Sequence, residues 1–288
     1  MSCPKIKFYN GNEIPQLGFG VYQIKGDELT EQCVAEALKV GYRHIDTAHI
    51  YGNERGVGEA IKKSGIPRDQ IWITSKIWVT EYGSGKTTDA LEKMLERLGV
   101  EYIDLVLLHF PFNDYLGAYE ELEAEYEKGH IKNIGISNFE DNKFEELYNK
   151  VKIKPVLNQV ELNPYHQQRD IRKRMEEVNV KVEGWGPLGE GNSNLFNEEA
   201  IKSLAEKYNK SSAQIILRWH IQNGFITIPK SSKAERIKEN FEIFDFELTE
   251  EEMNGINELD GKRRRIQPNQ SYLGFVFKYL PFFTRPRD

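Results

Sequence analysis

The sequence predicts an α/β fold, a (β/α)8 TIM barrel with an N-terminal hairpin and a C-terminal tail over the barrel mouth. Strand-like and helix-like patterns alternate along most of the 288 residues, which is typical of a sheet of parallel strands. Three hydrophobic runs end on ionisable residues, Asp46, Lys76 and His109, at steps of 30 and 33 residues. That step is the length of one strand-helix unit, so all three side chains should lie at one rim of a barrel.

The predicted strands begin with a short hairpin. Two extended segments at 5–9 and 13–15 flank Asn10-Gly11-Asn12, a sequence typical of a tight turn. Eight further runs are predicted as strands, at 43–46, 71–76, 103–109, 133–137, 156–160, 181–185, 225–229 and 241–245.

Helical patterns lie between most of these strands. They predict helices at 30–40, 54–64, 88–98, 115–128, 140–150, 169–178, 198–208 and 211–223. Thr88 is expected to cap the third of them. Ser211 or Ser212 is expected to cap the last, with Gly224 just beyond its end.

The end of the chain differs from the rest. Lys262-Arg263-Arg264-Arg265 is a basic cluster, and the segment 272–283 is rich in Tyr and Phe. No linker divides the chain, so we expect one domain over 1–288, with 262–288 as a tail packed over the barrel. A substrate-pocket wall or a partner surface is the alternative role for this tail.

Composition and charge exclude several classes. The net charge of −6 argues against general nucleic-acid binding. The two cysteines form no disulfide framework and suit a reducing compartment. No signal-peptide pattern and no run of about 18 apolar residues is present, so we expect a cytoplasmic protein without a membrane span. The histidines show no metal-ligand spacing, so no metal is implied.

A phosphate-loop-like segment, Gly83-Ser84-Gly85-Lys86-Thr87-Thr88, follows one predicted strand. The opening glycine of that motif is absent, because position 80 is Thr. We therefore expect an ordinary loop there and no nucleotide hydrolysis.

The three strand-end residues, together with Tyr51 just beyond the first of these runs, predict a proton-delivery site. Alone, Asp46 and Lys76 could be a structural ion pair, and Tyr51 and His109 could be core residues. Together they place an acid, a cation, an imidazole and a phenol at one rim. A free tyrosine has a pKa of about 10, and a nearby ammonium should lower the pKa of Tyr51.

Several motifs, in order along the chain, resemble the aldo-keto reductase family. They are Gly41-Tyr42-Arg43-His44-Ile45-Asp46-Thr47-Ala48, Tyr51-Gly52-Asn53-Glu54, Ile73-Thr74-Ser75-Lys76, Ile134-Gly135-Ile136-Ser137-Asn138-Phe139, Asn158-Gln159-Val160-Glu161 and Ile228-Pro229-Lys230-Ser231. Gly184-Trp185-Gly186-Pro187-Leu188-Gly189 looks most like the microbial branch that includes 2,5-diketo-D-gluconate reductases and some prostaglandin F synthases.

The resemblance implies NADPH-dependent reduction of aldehydes or ketones to alcohols by a monomer, with a small-molecule carbonyl as substrate. It implies Asp46, Tyr51, Lys76 and His109 as the catalytic tetrad, with Tyr51 as general acid. It also implies NADPH/NADP+ bound across the barrel mouth. An alternative from the same fold is an NADPH-sensing binding protein with slow turnover, and the tail and Lys262 to Arg265 would then be its docking surface.

The resemblance also implies the cofactor contacts. Ser137, Asn138 and Gln159 correspond to the residues that bind the nicotinamide amide, and Trp185 to a stacking position where the family usually has Tyr. The remaining contacts would be Leu188 with loop 190–194 at the pyrophosphate, Lys230, Ser231 and Arg236 at the 2′-phosphate, and Glu239 and Asn240 near the adenine.

Four aromatic residues, Tyr22, Trp78, Phe110 and Phe112, are predicted to form the wall of the substrate pocket. Phe110 and Tyr22 stand where many relatives have Trp, so the physiological carbonyl stays open. Dicarbonyls resembling methylglyoxal, ketosugars, aromatic aldehydes and lipid carbonyls are all compatible with the sequence.

Overall fold

The computed structural model describes residues 3–191 and 193–262. Two strands, β1 (Lys5–Lys7) and β2 (Glu13–Pro15), form an antiparallel hairpin. Eight parallel strands then pair in chain order: β3 (Phe19–Gly20), β4 (His44–Asp46), β5 (Trp72–Ile77), β6 (Leu105–Leu108), β7 (Ile134–Ser137), β8 (Leu157–Glu161), β9 (Lys181–Trp185) and β10 (Ile226–Thr227). The predicted α/β barrel class is confirmed.

The first and last strands meet and close the sheet into a barrel. Leu17, just before β3, forms a parallel bridge with Thr227 of β10. The backbone N–H of Gly18 donates to the Thr227 carbonyl at 2.8 Å, and the N–H of Thr227 donates to the Gln16 carbonyl at 2.9 Å. The barrel interior is therefore enclosed by backbone hydrogen bonds around its whole circumference.

The helices surround this barrel. They are α1 (Asp27–Val40), α2 (Glu54–Ser64), α3 (Lys86–Leu98), α4 (Tyr115–Lys128), α5 (Asp141–Lys150), α6 (Arg169–Glu177), α7 (Ser193–Phe196), α8 (Glu199–Tyr208), α9 (Ser212–Gln222), α10 (Ala234–Phe241) and α11 (Glu250–Asn257). Helix α3 shows why they pack inward, because Ala90, Leu91, Met94 and Leu98 lie on one buried face at helical spacing. No helix in the described ranges combines the length and apolar character needed to cross a bilayer.

The predicted strand at 241–245 is wrong. Helix α10 ends at Phe241, and the residues after it turn inward so that Ile243 is fully buried. The alternation of apolar residues there comes from a helix end and a packed loop. The barrel strand that the sequence pattern missed is β3, which has only two residues and contains Gly20.

The predicted cap is confirmed for helix α9 and wrong for helix α3. Ser211 caps α9, where its side chain accepts from the Gln214 N–H and Gln214 reaches back to the Ser211 N–H. Thr88 does not cap α3, which begins at Lys86 after Gly85. The Thr88 N–H instead donates to Glu121 on α4 at 3.0 Å.

Helices α10 and α11 lie in a region where the sequence pattern predicted only the strand. The tail predicted at 262–288 lies outside the described residues, with the exception of Lys262. Its ammonium forms an ion pair with Glu198 at 2.8 Å. The single-domain assignment for 1–288 stays a prediction.

Candidate active site

The carboxyl ends of β4, β5 and β6 bring three of the predicted catalytic side chains together. Asp46 is the last residue of β4, Lys76 lies one residue before the end of β5, and His109 directly follows β6. Tyr51 ends a single turn of 3₁₀ helix, His49–Tyr51, that follows β4. The predicted convergence at one rim is therefore what the barrel topology produces.

A cavity of about 1010 Å³ opens at this rim. Sixteen of the predicted site residues line it: Tyr22, Asp46, Tyr51, Trp78, His109, Phe110, Ser137, Asn138, Gln159, Trp185, Leu188, Lys230, Ser231, Arg236, Glu239 and Asn240. Lys76, which is fully buried, and Phe112 are the two predicted site residues that do not line the described cavity.

Asp46, which lines the cavity, forms a buried ion pair with Lys76. The Lys76 Nζ lies 2.7 Å from Asp46 Oδ1 and donates to the Thr47 carbonyl at 2.9 Å. The lysine side chain has no solvent exposure. Burial raises the pKa of Asp46, and the charge of Lys76 opposes that rise.

Tyr51 lies above this pair, with Lys76 Nζ 5.1 Å from the centre of its ring. Two effects raise the pKa of the Tyr51 phenol well above its usual range: burial is the larger, and the negative charge of Asp46 is the next. The lowering expected from the sequence is therefore wrong for this structure, because desolvation of the phenolate outweighs the nearby ammonium. Tyr51 holds its proton firmly.

His109 faces Tyr51 edge to face, with 5.8 Å between ring centres. Two effects lower the pKa of His109 well below its usual range: burial is the larger, and the positive charge of Lys76 is the next. The imidazole is therefore neutral. Its Nδ1 is buried and has no hydrogen-bond partner in the described part of the chain. A buried N–H without an acceptor is costly, so the single proton belongs on Nε2.

The segment after Tyr51 is tied to the barrel. Thr47 Oγ1 donates to Asn53 Oδ1 at 3.0 Å. The buried carboxylate of Glu54 accepts from Ser75 Oγ at 2.6 Å, directly beside Lys76 on β5. The turn that carries the phenol therefore has a fixed position relative to the ammonium.

Amide and hydroxyl groups form one end of the cavity. Trp185 Nε1 donates to Asn138 Oδ1 at 3.0 Å, and Asn138 Nδ2 donates to Ser137 Oγ at 3.0 Å. Gln159 Nε2 donates to Asp46 Oδ2 at 2.8 Å. The contact of Gln159 connects the predicted amide-binding residues with the ion pair of Asp46 and Lys76.

The opposite end of the cavity is cationic. Lys230 and Arg236 are exposed there, and neither forms an ion pair with another residue of the described ranges. Ser231, Glu239 and Asn240 complete this end. Two unneutralised cations on a cavity wall suit a phosphate group, since Arg and Lys are the usual partners of phosphate.

Aromatic rings line the cavity beside the tetrad. Phe110 stacks on His109 with 5.2 Å between ring centres, and Trp78 meets the same imidazole edge-on at 5.0 Å. Tyr22 is 46% exposed and lies 4.9 Å from the Tyr51 ring. Phe112 stacks behind Phe110 at 5.9 Å, one ring away from the cavity.

Sequence reasoning missed Glu183 of β9. Its side chain is fully buried, and its Oε1 accepts from Gln159 Nε2 at 2.9 Å. Burial is the main effect that raises the pKa of Glu183 to about 8, and the negative charge of Asp46 is the next. The available signal was an acidic residue inside a predicted strand, between Val182 and Gly184, in a barrel whose strands face inward at alternate positions.

The chain matches the model of the aldo/keto reductase family over residues 16–261. It is 46% identical to glyoxal reductase of Bacillus subtilis, over 94% of this chain and 97% of that protein. It is 39% identical to methylglyoxal reductase DkgA of Escherichia coli, over 92% of this chain and 97% of that protein. It is also 44% identical to 9,11-endoperoxide prostaglandin H2 reductase of Trypanosoma cruzi, over 90% and 92% of the two chains.

Solved structures have the same fold. An aldo/keto reductase from Brucella melitensis superposes with a TM-score of 0.86 at 46% identity, over 90% of this chain and all of that one. An aldo-keto reductase of Bombyx mori in complex with NADP superposes with a TM-score of 0.88 at 31% identity, over 97% and 98% of the two chains.

Proposed function

Because the chain belongs to the aldo/keto reductase family and is an oxidoreductase, we propose that it reduces aldehydes or ketones to alcohols with NADPH. One observation supports this proposal most directly. Tyr51, which keeps its phenolic proton, and a neutral His109 line the same cavity. The buried ion pair of Lys76 and Asp46 lies next to them. This arrangement suits delivery of a proton to a carbonyl oxygen.

The cavity suits NADPH at both ends. Lys230 and Arg236 would hold the 2′-phosphate, and Ser231 would add a hydroxyl beside them. At the other end Ser137, Asn138 and Gln159 would hold the carboxamide, with Trp185 against the nicotinamide ring. Leu188, Glu239 and Asn240 also line the cavity wall. When bound, the cofactor supplies a hydride to the carbonyl carbon.

The chain's own residues then handle the carbonyl oxygen. We propose that this oxygen lies between the hydroxyl of Tyr51 and the Nε2–H of His109. His109 donates a hydrogen bond that orients the oxygen, and Tyr51 transfers its proton to it. The two neutral donors do not compete, because the low pKa of His109 keeps it from becoming a second acid.

Lys76 and Asp46 support the moment at which Tyr51 loses its proton. A phenolate in this desolvated site is unfavourable, as the raised pKa of Tyr51 indicates. The ammonium of Lys76, 5.1 Å from the ring centre, stabilises the negative charge as it forms. Asp46 keeps that ammonium in place at 2.7 Å.

The proposed substrates are small carbonyl compounds that fit beside aromatic walls. Tyr22, Trp78 and Phe110 provide a largely apolar surface next to Tyr51 and His109. Two relatives are named for glyoxal and methylglyoxal, so small dicarbonyls are the first candidates. Aromatic aldehydes fit the same walls by stacking.

Consumption of NADPH by the purified protein, measured with aldehydes, dicarbonyls and ketosugars, tests the proposal. Turnover should occur with at least one class and disappear with Tyr51→Phe. Tight NADPH binding without turnover in the wild type would contradict the reductase proposal and support the cofactor-sensing alternative. In that case removal of residues 266–288 should abolish partner binding and leave NADPH affinity unchanged.

A further inference from the structure

The amide of Gln159 lies between two acidic side chains inside the barrel. Its Nε2 is 2.8 Å from Asp46 Oδ2 and 2.9 Å from Glu183 Oε1. A primary amide nitrogen has two hydrogens, and these two contacts use both of them. The carbonyl oxygen Oε1 is then what Gln159 offers to the cavity that it lines.

Glu183 is placed by the barrel to make one of these contacts. It is the register partner of Gln159 on the neighbouring strand, and it has Ile226 as its partner on the other side. The charged groups that act on it are Asp46 of β4 and Lys76 of β5. Its Oε2 is buried and has no hydrogen-bond partner within the described ranges.

We propose that Glu183 is a positioning residue that fixes the orientation of the Gln159 amide for the cofactor. With Glu183 in place, the Gln159 NH2 group faces the two carboxyl groups and its oxygen faces the cavity. That oxygen is a hydrogen-bond acceptor, so its partner must be a donor. The NH2 group of the nicotinamide carboxamide provides one. This inference rests on the proposed use of NADPH.

The protonation state of Glu183 supports this role. The pKa of about 8 means that the carboxyl is mostly neutral at pH 7. A neutral Glu183 accepts from Gln159 without drawing Lys76 away from Asp46. Glutamine has the same shape and offers the same acceptor, so Glu183→Gln should preserve the arrangement. Glu183→Leu removes the acceptor and leaves one Gln159 N–H without a partner.

The experiment measures the dissociation constant of NADPH by titration calorimetry at pH 7, for wild type, Glu183→Gln and Glu183→Leu. We expect Glu183→Gln to remain within about threefold of wild type and Glu183→Leu to weaken binding by about tenfold. Unchanged affinity in Glu183→Leu overturns the proposal. Equal weakening in both variants overturns it as well, because the acceptor would then not be what matters.

Adenosine 2′,5′-bisphosphate, which has no nicotinamide, is the control probe. The proposal predicts that it binds all three proteins alike. Equal loss of affinity for both probes in Glu183→Leu would overturn the proposal, because it would indicate a general structural defect. These outcomes are separate from those of the reductase proposal, which fails if wild type binds NADPH and reduces no carbonyl. Failure of wild type to bind NADPH overturns both proposals.

Discussion

The ammonium of Lys76 lies 2.7 Å from the carboxylate of Asp46, and the lysine side chain is wholly excluded from solvent. The two residues lie 30 positions apart in sequence, on neighbouring parallel strands. Removing two charges from water costs several kcal/mol per ion, so a buried pair contributes little net stability. In the proposed reaction the pair acts through its position beside Tyr51, because Asp46 keeps the positive charge of Lys76 where the phenolate forms.

Replacing Lys76 with methionine should reduce both stability and turnover. The carboxylate of Asp46 would be left buried without its counter-charge, which costs about 3–5 kcal/mol of unfolding free energy. Denaturant unfolding measures this loss. The double variant Asp46→Asn/Lys76→Met should recover much of the stability and none of the turnover. A single variant as stable as wild type would contradict the buried ion pair.

Replacing Arg236 with alanine should raise the Michaelis constant for NADPH by about tenfold, the usual cost of a lost hydrogen bond to a charged group. The constant for NADH should change far less, because NADH has no 2′-phosphate. Lys93→Ala removes a positive charge from an exposed position on α3, outside the cavity, and should change neither. If Arg236→Ala affects both cofactors equally, the phosphate assignment is wrong.

Glu183 should make the protein less stable as the pH rises from about 4.5, its pKa in the unfolded chain, to about 8. Its pKa is raised from 4.5 in the unfolded chain to about 8 in the folded one, so the folded state holds a proton that the unfolded state has released. The free energy of unfolding then falls by up to about 1.4 kcal/mol per pH unit, until the pH passes the folded pKa.

The upper part of this window, from about pH 7 to 8, separates Glu183 from the buried histidines. Burial lowers the pKa values of His44, His109 and His220, so these groups are neutral in both states above about pH 7. Urea unfolding at several pH values, for wild type and Glu183→Gln, measures the effect. The free energy of unfolding of Glu183→Gln should fall less across the window than that of wild type. Parallel plots of this free energy against pH would refute the raised pKa of Glu183.

Gly58→Ala should destabilise the protein by about 1–3 kcal/mol, because overpacking forces backbone shifts. A Cβ at position 58 of α2 would lie 2.4 Å from the Leu98 carbonyl oxygen at the end of α3. Gly255 on α11 is the matched control, because a Cβ there meets no atom within 4 Å. Gly255→Ala should stabilise by about 0.5–1 kcal/mol through helix propensity. Thermal unfolding compares the two variants.

The sequence predicted where the strand-end side chains meet better than it predicted every strand of the sheet. Parallel strands of a barrel bring their carboxyl ends to one rim, so Asp46, Lys76 and His109 could be placed together without coordinates. The short strand β3 gave no such signal, because two residues with a glycine do not form a recognisable hydrophobic run.

The properties that depend on burial could not be predicted from residue order. Adjacency to Lys76 suggested a lowered pKa for Tyr51, whereas the depth of the phenol in the barrel mouth determines the opposite direction. Glu183 was missed for the same reason, since an acidic residue in a strand is usually expected to face water.

A single-turnover measurement tests most directly whether Tyr51 delivers the proton. NADPH-loaded protein is mixed with methylglyoxal, and the decay of NADPH absorbance is compared between wild type and Tyr51→Phe. We expect a rate at least about 100-fold lower in the variant, the usual contribution of a general acid, with an unchanged NADPH dissociation constant. Decay at the wild-type rate in Tyr51→Phe would contradict proton delivery by Tyr51.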